Sequence, residues 1–289
     1  MSPSPSPGPR AGEAVKPTIL AFHGSGSNGT IHTVQMARLT RHLKPVFDIV
    51  SLEAPFPSPA GPGILPFFEG CGPFKRWLPP SEKVTIEGMK SGSASSIMPQ
   101  PVTSLIQSII HRISLSGSRV VGLLGFSQGT RVVAGLLKAK ELRRRALASP
   151  SSTSISESTS ELDLEASSWL DTFEFAVSVC GSYPPPLIPE ILSLSISVAG
   201  KEKEEKEEGG EKDHKIETPT LHVQGLQDEW HWAGKLLIES VYEVAEGKSE
   251  VFEFQMGHHY PVLAEDTERI RDWVLGTWGR LEKEVERRR

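Results

Sequence analysis

The sequence predicts an α/β fold built on a doubly wound, mostly parallel sheet. Apolar runs of strand length alternate with segments whose apolar residues have helical spacing along most of the chain. One of these runs, residues 119–124, is almost entirely apolar, which is expected of a strand that helices cover on both faces. A Gly-rich turn follows this run and leads into a helical pattern. These observations favour one α/β domain of the larger kind, for which 289 residues are sufficient.

The individual elements are predicted from their apolar patterns and from the residues that end them. Short apolar runs that stop at Gly, Pro or polar residues predict strands at 18–22, 47–52, 119–124, 173–180, 220–224 and 250–254. Helical spacing predicts helices from about Val34 to just before Pro45, at 101–113, at 130–139 and at 264–289. The last helix is expected to pack on the core through Ile270, Trp273, Val274, Trp278 and Leu281. Its polar face carries charges of both signs, which argues against a membrane-binding helix.

The composition changes at three places, which suggests how the chain is organised. Residues 1–15 are rich in Pro and Ser and predict a disordered tail, so a single domain is expected at 16–289. Residues 149–168 are rich in Ser, Thr and Glu, and residues 201–213 are an almost unbroken Lys/Glu run. Both are interpreted as solvated surface insertions, with a docking or regulatory segment as the alternative.

Charge and cysteine content exclude several classes of protein. The chain carries 31 basic and 36 acidic residues, a net charge of -5, without a basic stripe, so nucleic acid is not expected as a partner. No run of 18 apolar residues predicts a membrane span, and the N-terminus lacks the apolar region of a signal peptide. The two cysteines, Cys71 and Cys180, lack metal-type spacing and indicate a reducing compartment. We therefore expect a cytoplasmic protein.

The strongest catalytic signal is the sequence Gly-Phe-Ser-Gln-Gly at 125–129, between a predicted strand and a predicted helix. A sharp strand-to-helix turn of this kind exposes the serine hydroxyl to a base and to a substrate carbonyl. The turn crowds the positions two residues away, which gives Gly125 and Gly129 a steric reason to be glycine. The motif in this setting predicts that Ser127 is the nucleophile of an α/β-hydrolase fold; an ordinary turn with a buried serine is the alternative.

The acid and the base are expected downstream, in the order Ser, Asp or Glu, His. Asp228 follows the predicted strand 220–224 and is the candidate acid, with Glu229 as the fallback; a helix N-cap is the other role that Asp228 could have. His258 and His259 both follow the strand 250–254. Because adjacent residues point in different directions, only one of them can reach the serine, and spacing alone does not decide which.

A serine hydrolase also needs backbone N–H groups that bind the oxyanion. One is expected from Gln128, directly after the nucleophile, and the other from the loop after an early strand, where Ser25 is the candidate. His23 in the same loop is interpreted as a residue that braces the loop by hydrogen bonding. A zinc site formed by histidines with Asp228 is not expected, because no His-x-x-x-His pair occurs. No metal or organic cofactor is required.

These residues resemble the FSH family of serine hydrolases, especially its fungal branch associated with polyketide gene clusters. The resemblance runs from about Lys16 to about Trp278. It is carried by the sequences at 20–28, 53–56 with the Pro/Gly continuation to Trp77, 125–129, 221–228 and 257–261. The family pattern Gly-Gly-His-x-x-Pro, aligned on Pro261, implies that His258 is the base. Met256 stands where the family has the first glycine, and the two low-complexity insertions are outside the family pattern.

The resemblance implies an esterase or thioesterase that cleaves acyl or polyketide-like small molecules, with the acyl carrier of a polyketide synthase as a candidate partner. The aromatic-rich segment 54–80 is too irregular for regular structure, and its Phe56, Phe68 and Trp77 are candidates for the wall of an acyl pocket, with core packing as an equal alternative. An acyl-protein thioesterase or lysophospholipase-like hydrolase is the second enzyme hypothesis. A non-catalytic binding module with the same fold is the third.

Overall fold

The computed structural model describes residues 15–148, 164–190 and 214–288. The predicted tail and the two predicted insertions therefore lie outside the described residues, apart from Val15 and residues 164–168. The assignment of a single domain at 16–289 stays a prediction.

Six of the described strands form one parallel sheet. The strands are β1 (Thr18–Phe22), β2 (Asp48–Leu52), β3 (Phe56–Pro57), β4 (Lys75–Arg76), β5 (Ile97–Met98), β6 (Val120–Phe126), β7 (Phe175–Val179), β8 (Ile188–Pro189), β9 (Thr220–Gly225) and β10 (Ser249–Phe254). The sheet has the order β10-β9-β7-β6-β1-β2, and every neighbouring pair in it is parallel. Two small ribbons accompany it, an antiparallel β3–β4 pair and a parallel β5–β8 pair. All six predicted strands are present in the sheet.

Helices cover both faces of the sheet. They are α1 (Gly29–Gln35), α2 (Ala37–Leu43), α3 (Ile86–Ser91), α4 (Gln100–Leu115), α5 (Gly129–Ala148), α6 (His231–Val241) and α7 (Ala264–Arg288), with a 3₁₀ turn at Ser168–Thr172. The core cluster on one face includes Val102 of α4 and Leu136 of α5, and the cluster on the other includes Leu39 of α2 and Trp273 of α7. Strand β1 is buried throughout and contributes to both clusters. The predicted α/β-hydrolase fold, with a mostly parallel, doubly wound sheet, is confirmed.

Two of the sequence-based expectations differ from the structure. The helix predicted up to Pro45 is interrupted at Met36, which has φ −94° and ψ 9° and is both the C-cap of α1 and the N-cap of α2. Val34, expected on its apolar side, is 57% exposed. The segment 54–80, expected to lack regular structure, contributes the β3–β4 ribbon. A two-residue strand carries no periodicity that a sequence pattern could reveal.

The C-terminal helix packs as predicted. Ile270, Trp273, Val274 and Trp278 of α7 are buried in the second core cluster, and Leu281 packs against that cluster half-buried. None of the helices within the described ranges is long and apolar enough to span a bilayer.

Arg131 of α5 is fully buried and joins two segments to that helix. Its Nη2 donates to the Ser95 carbonyl at 2.5 Å, its Nε to the Pro185 carbonyl at 2.9 Å and its Nη1 to the Tyr183 hydroxyl at 3.0 Å. The Tyr183 ring also lies 4.4 Å from the guanidinium carbon. A buried charge is tolerated when hydrogen bonds replace its hydration. The segments that carry β5 and β8 are thus held on α5 by one side chain.

Candidate active site

The residues proposed for catalysis all lie at the carboxyl edge of the parallel sheet. Ser25 follows β1, Ser127 follows β6, Asp228 follows β9 and His258 follows β10. In the sheet, β7 separates the nucleophile strand from the acid strand, and the end of β7 carries Cys180. The carboxyl ends of parallel strands are where sites form in open α/β sheets, because loops from several strands meet there.

The turn at Ser127 has the strained geometry of an exposed nucleophile. Its φ is 50°, in the left-handed region that residues other than glycine rarely adopt. The Ser127 N–H donates to the Val179 carbonyl at 3.1 Å, and the Ser127 carbonyl accepts from the Thr130 hydroxyl at 2.7 Å. A Cβ at Gly125 would lie 2.8 Å from the Thr130 Cα, and one at Gly129 would lie 2.1 Å from the Phe22 carbonyl oxygen. The steric reason predicted for both glycines is present in the structure.

Asp228 and His258 form a hydrogen-bonded pair. Nδ1 of His258 lies 2.7 Å from Oδ2 of Asp228, whose side chain is 1% exposed. The Trp230 N–H donates to the other carboxylate oxygen at 2.8 Å. Burial alone would raise the pKa of Asp228, but the hydrogen bond and charge of His258, with the Trp230 N–H and the Cys180 thiol, lower it below its usual value. A buried, ionised carboxylate thus holds the imidazole.

His259 is engaged elsewhere. Its Nδ1 lies 2.8 Å from the Tyr260 carbonyl oxygen, and its Nε2 lies 3.3 Å from the Gly257 nitrogen. Glu229, the fallback acid, is exposed. The geometry therefore favours His258 and Asp228 over these two alternatives.

Of the four histidines considered as zinc ligands, His222, His231, His258 and His259, His258 is the one that lies beside Asp228. His222 is fully buried against the Tyr242 ring, and His231 lies 3.2 Å from a Glu253 carboxylate oxygen. Across residues 15–148, 164–190 and 214–288, the group close enough to share an ion is Cys180, Asp228 and His258. The hydrogen bond between Asp228 and His258 already engages two of those three side chains.

The loop after β1 lies against the nucleophile. A Cβ at Gly24 would lie 3.1 Å from Cδ1 of Phe126 and 3.2 Å from the Ser127 Cβ, which is closer than most Cβ contacts, so a glycine favours this approach. The backbone N–H groups of Ser25 and Gln128, the two candidate oxyanion donors, donate to no other described residue. Backbone N–H groups of folded proteins are usually paired. Two unpaired donors close to a strained serine are suited to binding an oxyanion.

Trp77 is the predicted pocket residue whose surroundings are most clearly defined. It is fully buried, with its ring centroid 5.4 Å from that of Phe22 and 5.1 Å from that of His23. Its indole N–H donates to the His23 carbonyl, and its backbone N–H donates to Oε1 of Gln128. These contacts correspond to the core-packing alternative. Phe56 and Phe68 are half-buried, and Phe56 packs against the first core cluster.

Cys180 was not identified from the sequence as part of the site. It has a φ of 47°, is fully buried and follows β7 just as Ser127 follows β6. Burial, then the charge and hydrogen bond of Asp228, raise the pKa of its thiol well above the usual value. The thiol is therefore protonated and contacts the acid of the pair. A Cys at the end of a strand carries no signal that distinguishes this position from ordinary core packing.

The Phe126 ring links the nucleophile turn to the histidine loop. It stacks on Tyr260 with centroids 5.2 Å apart and packs on His258, also at 5.2 Å. His32 of α1 completes the group, with Nε2 at 2.7 Å from the Tyr260 hydroxyl. Burial lowers the pKa of His32 to about 3, so it is neutral in the folded chain.

A cleft of about 730 Å³ lies away from the proposed catalytic residues. It is lined by Lys140, Arg143 and other residues at the end of α5 opposite to the serine turn.

Comparison with known proteins gives a consistent set of relatives. The model of the family described as "Serine hydrolase (FSH1)" matches residues 13–270. The "Esterase FUS5" of Gibberella moniliformis is 27% identical, over 91% of this chain and 88% of that protein. The "Probable esterase afoC" of Emericella nidulans is 31% identical, over 86% of each chain. The "Dihydromonacolin L-[lovastatin nonaketide synthase] thioesterase" of Aspergillus terreus is 27% identical, over 90% of this chain and 89% of that one.

Among solved structures, a carboxylesterase from Mesorhizobium loti matches with a TM-score of 0.48 and 15% identity, over 92% of this chain and 91% of that chain. The acyl-protein thioesterase 2 of Zea mays matches with a TM-score of 0.48 and 16% identity, over 93% of this chain and 96% of that chain.

Proposed function

Because the chain belongs to the serine hydrolase (FSH1) family, we propose that it cleaves ester or thioester bonds of acyl or polyketide-like small molecules through Ser127, Asp228 and His258. Two linked observations carry the proposal: His258 is hydrogen-bonded to the buried Asp228 carboxylate, and its ring packs on Phe126, the residue before the strained Ser127. Relatives named as esterases and as a thioesterase support the reaction class.

The reaction would proceed by acyl transfer to Ser127 and then to water. His258 accepts the Ser127 hydroxyl proton as Oγ bonds to the substrate carbonyl carbon, and Asp228 stabilises the resulting imidazolium. When the tetrahedral intermediate collapses, the bond to the leaving oxygen or sulfur breaks and His258 gives its proton to that atom. Water then attacks the acyl-enzyme with His258 again as base, which releases the acid and regenerates the serine.

The oxyanion would be bound by the N–H groups of Ser25 and Gln128. Both donors are unpaired among the described residues, and the Ser25 loop packs against Ser127 through Gly24. Removing one such donor from a serine hydrolase costs about 10²–10³ in kcat.

The surroundings of the site favour an apolar acyl group. The segment after β3 is joined to the oxyanion loop, since the Asn28 amide donates to the Cys71 carbonyl at 2.8 Å and the Gly61 N–H to the Gly26 carbonyl at 2.9 Å. That segment exposes Phe67 at 85% and Leu65 at 52% and carries the half-buried Phe68. Together with Phe56, Phe68 is proposed to contact the acyl chain.

The proposal extends to a partner and a compartment. A thioester substrate would arrive on an acyl carrier of a polyketide synthase; the Aspergillus terreus relative is named as a thioesterase for dihydromonacolin L on lovastatin nonaketide synthase. Both cysteines are free, Cys71 exposed and Cys180 buried, which is consistent with a reducing cytoplasm.

The test is hydrolysis of p-nitrophenyl esters of increasing chain length and of matched acyl thioesters by the wild type and by Ser127→Ala. Ser25→Ala is the matched control, because it removes a hydroxyl from the same site but keeps the backbone N–H. We expect Ser127→Ala to lose at least about 10³-fold in kcat and Ser25→Ala to stay near the wild type. A maximum of kcat/KM for esters of medium or long acyl chains would support the proposed apolar contacts with the acyl group.

Equal turnover by the wild type and Ser127→Ala would overturn the assignment of the nucleophile. A folded wild type without turnover on either series, and without fluorophosphonate labelling at Ser127, would contradict the catalytic proposal and leave a binding module. Turnover confined to acylated peptides or lysophospholipids would replace the small-molecule substrate class by the other enzyme hypothesis.

A further inference from the structure

Both ring nitrogens of His23, which is fully buried at the end of β1, have a defined partner. The Ala54 N–H donates to Nε2 at 3.1 Å, and Nδ1 lies 2.7 Å from the Gly24 carbonyl oxygen. A backbone N–H can only donate, so Nε2 must present its lone pair, and a carbonyl oxygen can only accept, so Nδ1 must carry the proton. The neutral Nδ1–H tautomer is the one form that satisfies both contacts.

The contact with the Gly24 carbonyl also determines the direction of the next N–H group. The Gly24–Ser25 peptide is trans, and in a planar trans peptide the C=O and N–H bonds point in opposite directions. Because the imidazole holds the Gly24 oxygen, the Ser25 N–H points away from the imidazole. That N–H donates to no other described residue, and Gly24 lies against Ser127.

The other side of the same loop is held by Trp77. The Trp77 indole N–H donates to the His23 carbonyl at 2.7 Å, and the Trp77 backbone N–H donates to Oε1 of Gln128 at 2.8 Å. The peptides on both sides of Gly24 are therefore held by hydrogen bonds from buried side chains. Trp77 therefore joins the loop that carries Ser25 to Gln128, whose backbone N–H is the second candidate donor.

From these contacts we propose that His23 is a positioning residue, which holds the Gly24–Ser25 peptide so that the Ser25 N–H is directed at the oxyanion of the reaction. The inference rests on the proposed function. It goes beyond a bracing role, because it states that the proton on Nδ1 of His23 orients the Gly24–Ser25 peptide. An oxyanion donor stabilises the transition state most when its direction is set before the reaction. His23 does not touch the reacting atoms.

Two substitutions separate the roles of the two ring nitrogens. The amide of Asn can place an N–H near the position of Nδ1 but does not reach Ala54, so His23→Asn keeps the donor to the Gly24 carbonyl. The amide of Gln reaches the position of Nε2 and lacks a donor at Nδ1, so His23→Gln keeps the contact with Ala54.

The measurements are kcat and KM for a p-nitrophenyl ester, and the Ki of an alkyl trifluoromethyl ketone. Such a ketone forms a tetrahedral oxyanion adduct with an active-site serine.

We expect His23→Gln to lose about 10–100-fold in kcat and a similar factor in ketone affinity, with KM within about twofold of the wild type. His23→Asn should recover most of both losses. Equal losses in the two variants, or a loss of thermal stability with an unchanged ratio of Ki to KM, would reduce His23 to a structural residue and overturn the inference. Wild-type values for His23→Gln would do the same.

A second measurement needs no variant. The ¹⁵N chemical shifts of the His23 ring in the wild-type protein report which nitrogen carries the proton. A protonated Nδ1 and an unprotonated Nε2 are expected, and the opposite tautomer would overturn the inference. If the wild type itself neither turns over esters nor labels at Ser127 with a fluorophosphonate, the proposed function has failed. Labelling and turnover in the wild type with the opposite tautomer would leave that function intact and reject only the role of His23.

Discussion

Nε2 of His32 lies 2.7 Å from the hydroxyl of Tyr260, a contact that spans 228 residues of sequence. It joins α1, which follows the oxyanion loop, to the segment that carries His258. The other ring nitrogen, Nδ1, lies 3.1 Å from the Ser51 hydroxyl, so the imidazole is paired on both sides while almost completely buried. Tyr260 in turn stacks on Phe126, the neighbour of Ser127. The hydrogen bond between His32 and Tyr260 therefore connects the side of the site that carries the oxyanion loop to the side that carries His258.

Removing the Tyr260 hydroxyl should destabilise the protein. Tyr260→Phe leaves the buried Nε2 of His32 without its partner, and we expect the free energy of unfolding to fall by about 1–3 kcal/mol. Tyr242→Phe is the matched control, because the Tyr242 hydroxyl is buried with no hydrogen-bond partner within the described residues. Urea denaturation of the two variants should show a loss only for Tyr260→Phe. A larger loss for Tyr242→Phe would contradict the assignment.

The two adjacent histidines should differ sharply in their effect on turnover. His258→Gln removes the proposed base and should lower kcat by at least about 10³-fold. His259→Gln should keep kcat within about tenfold of the wild type, because the hydrogen bonds of that ring to described residues are with the backbone nearby. Steady-state kinetics on one p-nitrophenyl ester compare them directly. The reverse order of the two effects would transfer the role of base to His259.

The proposed acid should matter through the orientation and tautomer of His258. Asp228→Asn keeps the shape of the side chain but can donate to Nδ1, which would favour the wrong tautomer, so kcat should fall by about 10⁴-fold. Glu229→Gln is the control, since Glu229 is exposed beside it in the sequence. The assay is ester turnover at neutral pH. A comparable loss in Glu229→Gln would make Glu229 the acid.

The glycine after Gln128 should tolerate no side chain. The Cβ of Gly129→Ala would lie 2.1 Å from the Phe22 carbonyl oxygen, so β1 and the serine turn would have to separate. We expect a loss of several kcal/mol in the free energy of unfolding, or no folded protein. In contrast, Gly276→Ala in α7 meets nothing within 4 Å and should stabilise the protein by about 0.5–1 kcal/mol. Thermal denaturation compares the two. A neutral Gly129→Ala would show that the packing of this turn is looser than described.

Buried histidines should make the protein sensitive to mild acid. Burial lowers the pKa of His32 and of His222 to about 3, from 6.5 for an exposed histidine. Between these values the unfolded chain binds protons that the folded chain does not, so the free energy of unfolding falls as the pH decreases from about 6.5 toward 3. Each group contributes up to about 1.4 kcal/mol per pH unit.

His222→Phe should remove one of the two contributions. Neither ring nitrogen of His222 has a hydrogen-bond partner among the described residues, so Phe loses no bond there. Urea denaturation at several pH values between 7.5 and 4.5 should give the variant a smaller pH dependence than the wild type. The same slope for both proteins would mean that His222 is already protonated, or is accessible to water, in the folded chain.

The sequence predicted the sheet and the serine turn because both have local signatures. The strand before Ser127 is an unbroken apolar run, and the two glycines are required by clashes within a few residues of the turn or with the neighbouring strand. By contrast, the apolar pattern of α1 and α2 continues through Met36, so it predicts one helix where the backbone forms two.

The remaining parts of the site depend on contacts that are distant in sequence. The choice between His258 and His259 is made by the backbone of one short loop, and only the family resemblance pointed to His258. An aromatic residue in an irregular segment has the same sequence signature in a pocket wall as in a core, so the bracing role of Trp77 could not be predicted. Cys180 becomes part of the site only because β7 lies between β6 and β9 in the sheet.

The way in which Arg131 holds its neighbours has an evolutionary consequence. Two of its partners, at Ser95 and Pro185, are main-chain carbonyl groups, which every amino acid supplies. Substitutions that alter the side chains of those segments can therefore accumulate without loss of this anchor, provided that the arginine is inherited. We therefore expect a side chain such as that of Ser95 to change more readily than Arg131, because the anchor needs only the main-chain carbonyl at that position.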